Sequence, residues 1–501
     1  MNKRIRGILL GSCVLVLLAG GLVFLKLTEK PEESSSEAEH THAALLWDIE
    51  NSDKIAKVTV KKPEGESFSA TRKIEKTMTT DYQTQQEYET EVTNYYLDGY
   101  EDIPMDTTGI RLLATRSYSV NAEEKVLENP TDDDLKKFGL DKPVEVTFEV
   151  DDADDVQFSI GSRTPQAGYY YIRVAGDSTV YTVGSFSVEP YLKEATGFLS
   201  TKITEEQADD DETKVESVRL TRKDLPYDIY LIFDPYYEEN TNNGMMALHV
   251  MQEPIYCLLN IDKSTPVTHG LYGLTASQVV KAHPTDADLT AYGFDDPFAT
   301  VTMQTDDGKT TVFRLGNTFE DGEGDEKKTY YYGYLDGVSC VYGFSPDDIA
   351  YDDVKAENIT AKTVVDYYVW DIGRMVYQAG DLKLDFSGLG SSQDDFVLKL
   401  NGEDTETERY RVLYTYLLQT AAEDLVLEPV EVSGDPLCSI HIERQDNKRG
   451  ADIAFYDAGG LKAYIEIDGQ IRYRCRMSYV TTLIENLKIY NDTDKAFTMT
   501  W

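Results

Sequence analysis

From Val144 onward apolar and polar residues alternate. Val144, Val146, Phe148 and Val150 point one way, and Glu145, Thr147 and Glu149 the other. A period of two predicts a half-buried strand. An acidic turn follows, and a second strand carries Val156, Phe158 and Ile160 and ends at Gly161. Upstream, Thr131 and Asp134 form a capping box, Leu135 and Phe138 give a short helix one apolar side, and Gly139 stands where a left-handed C-cap is needed. The order is capped helix, turn, strand, strand.

That order recurs. Asn129–Pro143 (NPTDDDLKKFGLDKP) and His283–Pro297 (HPTDADLTAYGFDDP) share eight of fifteen positions at a constant offset of 154. Thr285, Asp288, Leu289, Tyr292 and Gly293 repeat the cap, the apolar side and the glycine. Each copy then predicts a tyrosine-rich hairpin, Tyr169–Tyr171 with Val180–Val183 and Tyr330–Tyr334 with Val338–Tyr342. A divergent third copy follows the same pattern through Leu437–Ile442, Ile453–Tyr456, Ala463–Ile467 and Ile471–Met477, closed by a helix at Ser478–Leu487. Upstream strands are expected at Ile55–Val60, Val215–Leu220 and Met375–Leu384, and helical stretches near Gly109–Ser119, Thr275–Ala282 and Glu408–Asp424. The expected fold class is α+β: three tandem repeat units, each a mostly antiparallel sheet with packed helices, after one N-terminal transmembrane helix. The units are placed at 51–203, 213–356 and 366–490.

The N-terminus reads differently. Ile8 to Leu25 carries no charge, and about 20 apolar residues span a bilayer. Residues 8–27 are therefore expected to cross the membrane. Lys3, Arg4 and Arg6 precede the run, so residues 1–7 form a cytoplasmic tail and the body is extracytoplasmic. The rivals are a cleaved signal at Ala19-Gly20-Gly21 and a lipoprotein box at Leu10–Cys13; the length and flanks favour the anchor. Residues 28–50, with Glu32, Glu33, three serines, His40 and His42, read as a flexible linker.

Charge narrows the partners. A formal net charge of -42 repels phosphate backbones, which excludes nucleic acid. The acidic turns Asp151–Asp155, Asp209–Glu212 and Asp321–Glu326 leave calcium open as a weak partner, with solvated turns as the default. Cys257, Cys340, Cys438 and Cys475 show no CxxC spacing, and no metal or other cofactor is expected. No hydrolase, zinc-protease or phosphate-loop motif occurs, and His283 is matched by Asn129, so the expectation is no enzyme and no catalytic residue.

Two features suit partner binding. Tyr169 with Tyr171, and Tyr330 with Tyr332, each share a strand face. An outward aromatic row could stack on sugars or meet a protein, although a sheet built from a good strand former is the plainer account. Arg472, Arg474 and Arg476 alternate with apolar residues, lining one strand face opposite Glu466 and Asp468. Cross-strand ion pairs are the plain account, and a docking stripe for an acidic partner the sharper one.

Phe138–Pro143 and Tyr292–Pro297, with their strands and tyrosine-rich hairpins, resemble a bacterial domain of unknown function, the family numbered 4340. The resemblance covers residues 50–355 well and the last third loosely. It implies a membrane-anchored exterior protein that accompanies ABC-transporter components of the gliding-motility type, and it implies no catalytic residues. The functional expectation is a non-enzymatic accessory or scaffold protein whose partners are the membrane and transporter subunits. The alternative is a surface module that binds a ligand or polysaccharide through its tyrosine-rich strands.

Overall fold

The computed structural model describes residues 44–501 other than 81–86, 238–245, 323, 325, 326, 366, 391, 393 and 420. The expected tail, membrane segment and most of the expected linker lie outside them. Among the described residues no helix is long and apolar enough to cross a membrane. The chain divides into two compact units, one of residues up to Asp98 with Thr107–Ala195, the other of Gly99–Asp106 with Thr196–Trp501. The fold is α+β, and the strand pairings are antiparallel.

The first unit contains strands β1 (Ala44–Asp48), β2 (Ile55–Lys61), β3 (Phe68–Thr80), β4 (Glu87–Leu97), β5 (Ser119–Ala122), β6 (Glu124–Glu128), β7 (Val144–Val150), β8 (Val156–Arg163), β9 (Tyr169–Val174) and β10 (Thr179–Gly184). Its sheet runs β4-β3-β2-β7-β8-β9-β10-β6, and β1 pairs β5 apart from it. β1 falls inside the stretch 28–50 expected as linker. Trp47 explains why it is ordered: its ring stacks on Phe158 at 4.7 Å and its Nε1 donates to the Ser117 carbonyl at 2.7 Å. Helices α1 (Thr107–Thr115), α2 (Asp132–Lys137) and α3 (Ser185–Leu192) complete the unit. Phe148, Phe158 and Tyr191 form its aromatic centre, and the Tyr191 hydroxyl is satisfied by the Leu113 carbonyl at 2.6 Å.

The second unit holds two sheets. One comprises β11 (Val215–Arg222), β12 (Ile229–Phe233), β13 (Met246–Glu253), β14 (Cys257–Asn260), β15 (Gln278–Ala282), β16 (Ala299–Thr305), β17 (Thr310–Asp321), β18 (Lys328–Leu335) and β19 (Cys340–Phe344). Its order is β14-β13-β12-β11-β16-β17-β18-β19-β15. The other comprises β20 (Ile372–Ala379), β21 (Leu382–Leu389), β22 (Val397–Leu400), β23 (Glu403–Asp404), β24 (Asp424–Leu425), β25 (Cys438–Arg444), β26 (Ala451–Gly459), β27 (Lys462–Ile467) and β28 (Gln470–Arg476). Its order, β23-β22-β21-β20-β25-β26-β27-β28-β24, follows the same path. The helices here are α4 (Ile261–Thr268), α5 (Asp286–Ala291), α6 (Ala356–Ile359), α7 (Thr407–Leu418) and α8 (Met477–Lys488).

Three details recur in register. The central pairings β2·β7, β11·β16 and β20·β25 each slip by one residue near the start of the upstream strand, at Ala56, Glu216 and Gly373. Each sheet places last in its order a strand that precedes its neighbour in sequence: β6, β15 and β24. In the first two sheets α2 and α5 carry complete capping boxes, and Gly139 and Gly293 follow at φ 65° and 89°. The next strand then closes on the helix end. Ser162 N donates to Phe138 O at 2.8 Å, and Asn317 N to Tyr292 O at 2.7 Å.

One expectation needs correction. Thr275–Ala282 is not helical: Gln278–Ala282 forms the edge strand β15, because Val279 and Lys281 pair with Tyr342 and Val341. The stretches 213–356 and 366–490, each with its own sheet, lie in one compact unit. Leu259 bridges Thr360, Ala361 N donates to Leu258 O at 2.8 Å, and the Tyr473 hydroxyl donates to Ala361 O at 3.2 Å. The chain leaving one sheet is thus stitched between both.

Glycines 161 and 316 let the strand reach the helix end, because a Cβ at either would run into the Phe138 or Tyr292 carbonyl oxygen. Gly161→Ala and Gly316→Ala are each expected to destabilise their own unit by roughly 1–3 kcal/mol, as overpacking does. Gly184, with open space around its Cβ position, should tolerate alanine within about 1 kcal/mol. Denaturant melts followed separately for the two units check this.

Candidate functional site

The three arginines of β28 do not form one stripe. The β27·β28 register passes from Ile465↔Tyr473 to Glu466↔Ile471, so Arg472 is a bulged extra residue. It is 7% exposed, whereas Arg474 and Arg476 are exposed. Their partners also differ from those expected. Arg474 Nε lies 3.6 Å from Asp424, and Arg476 Nε bonds Glu423 at 2.7 Å. Lys462 bonds Glu423 as well, and together Lys462 and Arg476 hold that carboxyl below its ordinary range.

Arg472 instead joins the seam of the second unit. Its guanidinium sits over the Tyr256 ring at 4.9 Å, and Arg449 sits over Tyr236 at 4.5 Å and Tyr256 at 5.8 Å. Asp468 is 2.9 Å from Arg449 and 3.9 Å from Arg472, so one carboxylate serves two guanidiniums. Arg472 Nε is buried without a hydrogen-bond partner, and burial pulls this guanidinium down from its ordinary range. The adjoining hollow, about 60 Å³, has room for little more than water. Desolvated cation–π contacts of this kind contribute up to about 2 kcal/mol each. The arrangement is a joint between two sheets, with no nucleophile in it.

The tyrosine rows face different surroundings. In the second sheet Phe319 stacks on Tyr332 at 4.4 Å and Tyr330 at 5.5 Å, and Tyr332 also meets Tyr292 at 4.4 Å. These tyrosines are half-buried under their own chain. In the first sheet Tyr171 meets Phe138 at 4.6 Å, the twin of the Tyr332–Tyr292 contact. Tyr169 and Tyr171 there also line a cleft of about 440 Å³ with Glu123, Glu124, Thr164 and Thr182. This volume suits a small ligand. The cleft is the best-formed candidate site of the first unit. Sequence reading missed Glu123 and Glu124, because two acids in an acidic chain carry no local signal; strand register alone places them.

The histidines and cysteines lie elsewhere. His249 Nε2 lies 2.7 Å from the Val215 carbonyl, and burial pushes it down to about 4. His283 lies 3.5 Å from Asp102, and His441 bonds Asp452 at 2.6 Å and Glu443 at 3.1 Å, which raises it. Cys257, Cys340, Cys438 and Cys475 are free and buried, and burial raises their thiols to about 11 for Cys257 and about 12 for the others. A thiol held protonated is a poor nucleophile. Among the described residues no group of three or more His, Cys, Asp or Glu could hold a metal ion. In the acidic turns, Asp151 bonds Arg72 at 2.6 Å and Asp211 accepts from Thr213 N at 2.9 Å, while part of Asp321–Glu326 lies outside the described residues.

Residues 96–229 match the family model described as Domain of unknown function (DUF4340). Over this stretch the chain is similar to the DUF4340 family. The match runs from the end of β4 to the start of β12, narrower than the expected 50–355. The DUF4340 stretch includes Phe138–Pro143, the tyrosine-rich hairpin and the cleft, while Tyr292–Pro297 lies outside it. No curated protein and no solved structure matches the chain.

His249 generates a pH prediction. Its folded pKa, about 4, lies below the unfolded value of about 6.5, so the neutral ring stabilises the fold above pH 6.5. That stabilisation is lost as pH falls through this window, by about 3 kcal/mol at pH 4. Urea melts at pH 7 and pH 4 should show wild type losing more stability than His249→Gln, by about this amount.

Proposed function

We propose that the chain is a membrane-anchored, extracytoplasmic, non-enzymatic scaffold built from three copies of one sheet, and that it holds a subunit of an ABC-type transport complex. The observation that carries the partner-holding part is the β3–β4 ribbon. β3 pairs β2 only from Phe68 to Thr71, yet it pairs β4 from Ala70 to Thr80. Beyond Thr71 the ribbon is two-stranded among the described residues, with Ile74 59%, Met78 61% and Tyr88 50% exposed. An isolated two-stranded ribbon is marginal in water. β4 is also an edge strand of eleven residues. Such an edge offers unpaired backbone groups to another chain, the geometry of β-augmentation. The anchor comes from the uncharged run Ile8 to Leu25, and the transporter setting from the resemblance to the DUF4340 family.

Local contacts hold the ribbon in shape without covering it. Lys76 meets Glu89 at 3.2 Å, and Glu75 accepts from Asn94 and from the Tyr96 hydroxyl, each at 2.8 Å. Exposed pairs of this kind contribute at most about 1 kcal/mol each. A partner that covers Ile74, Met78 and the β4 edge would supply what the sheet does not. The tyrosine-row reading, a polysaccharide module, draws less support, since Phe319 covers Tyr330 and Tyr332.

The test is a photo-crosslinker at Met78 of the full chain in its own membrane. The expected result is one dominant adduct with a transporter permease, abolished by Ile74→Lys and unaffected by Leu389→Lys, an exposed apolar control elsewhere. Migration of the protein alone after mild detergent extraction, with no permease adduct, would overturn the reading.

A further inference from the structure

Strand register aligns one edge position in all three sheets. Glu124 pairs with Thr182, Gln278 with Gly343 and Asp424 with Arg474. The preceding residue in each case donates its backbone N–H to that same partner's carbonyl: Glu123 at 2.8 Å, Ser277 at 2.9 Å and Glu423 at 2.8 Å. Across the next pairing, Thr182, Gly343 and Arg474 lie opposite Tyr171, Tyr332 and Tyr464. The three places are therefore equivalent, and they differ only in what fills them.

In the third sheet the position is a carboxylate pair, Glu423 and Asp424, and the chain supplies its own cations. Lys462 reaches both acids, Arg474 approaches Asp424 at 3.6 Å and Arg476 bonds Glu423 at 2.7 Å. In the second sheet the acids are replaced by Ser277 and Gln278, and Phe319 covers the place, lying close to where a Cβ on Gly343 would stand. In the first sheet the carboxylate pair returns as Glu123 and Glu124. The residue equivalent to Phe319 is Thr164, since Thr164 N bonds Tyr169 O where Phe319 pairs Tyr330. The residue equivalent to Lys462 is Tyr169. Gly184, which pairs with Tyr169, stands where Arg476 pairs with Lys462, so these two cation positions hold neutral residues. A cleft of about 440 Å³ stands there with no lysine or arginine in its lining.

We propose that this cleft binds an organic cation, an ammonium or guanidinium group, which takes the place that Lys462 and Arg476 occupy in the third sheet. Glu124 supplies the ion pair, and Tyr169 and Tyr171 supply aromatic walls, which attract cations through the ring quadrupole. Thr182, 6% exposed, forms the floor. The group can belong to a free small amine or to a basic side chain of a peptide. The inference stands apart from the scaffold reading, because it concerns neither the ribbon nor the membrane.

The experiment is calorimetric titration of the full chain in detergent with agmatine, with a blocked Gly-Arg-Gly peptide and with glucose as a neutral polyol. The native chain should bind agmatine or the peptide saturably at one site, above any diffuse uptake by its acidic surface, and should ignore glucose. The tighter of the two cationic probes names the source. Glu124→Gln, and Tyr169→Lys, which installs an internal cation, should each weaken that binding tenfold or more. Thr164→Phe, which restores the plug, should do the same, and thermal melts verify that each variant is folded. Absence of a saturable site would overturn the proposal. So would unchanged affinity in folded Glu124→Gln and Tyr169→Lys, or glucose binding that Glu124→Gln leaves intact.

Discussion

Each sheet depends on one antiparallel pairing made across a long stretch of chain. Val58 and Val60 meet Phe148 and Val146; Val218 and Leu220 meet Met303 and Val301; Met375 and Tyr377 meet Ile442 and Ile440. All twelve side chains are buried. Closing such loops costs chain entropy that grows slowly with length, and burial of these side chains, each contributing about 1.5–3 kcal/mol, offsets it. The slip at Ala56, Glu216 and Gly373 falls at the same place each time, so the twist it imposes is shared. The hairpins on either side join strands close in sequence, whereas the last edge strand pairs with one distant in sequence.

This division explains what the sequence disclosed. The capped helices, Gly139 and Gly293, and the hairpins were legible because their signals are local: a cap box, a left-handed glycine, a period of two. Thr275–Ala282 misled because an edge strand is held by one neighbour, here Tyr342 some sixty residues on, and has no strong pattern of its own. Arg472 misled because alternation assumes one residue per pair, and a bulge adds one. Nothing local in Tyr256, Arg449 or Asp468 announces that they will meet. The tyrosine rows were found, but not the difference between them, which lies in Phe319 against Thr164.

The edges are where the three sheets diverge. The central pairs are alike in character, buried apolar side chains against their like. The edge position is an ion cluster in one sheet, an aromatic plug in another and an open acidic cleft in the third. At the opposite edge of the first sheet, β3 and β4 run on beyond their neighbour, while the corresponding strands β21 and β22 stay short. In a repeated sheet with variable edges, substitutions at an edge leave the central pairing intact.

The most direct measurement of the central claim is native-state hydrogen exchange across the full chain, read at individual amides. The amides of Val58, Val60, Val218, Leu220, Met375 and Tyr377 should be the slowest in their sheets, exchanging only with opening of the whole unit. Those of β3 from Lys73 to Thr79, bonded to β4 alone, should exchange through local opening orders of magnitude faster. Equal protection along β3, or protection in the hairpins β9–β10, β18–β19 and β27–β28 that exceeds that of the central pairs, would contradict the account.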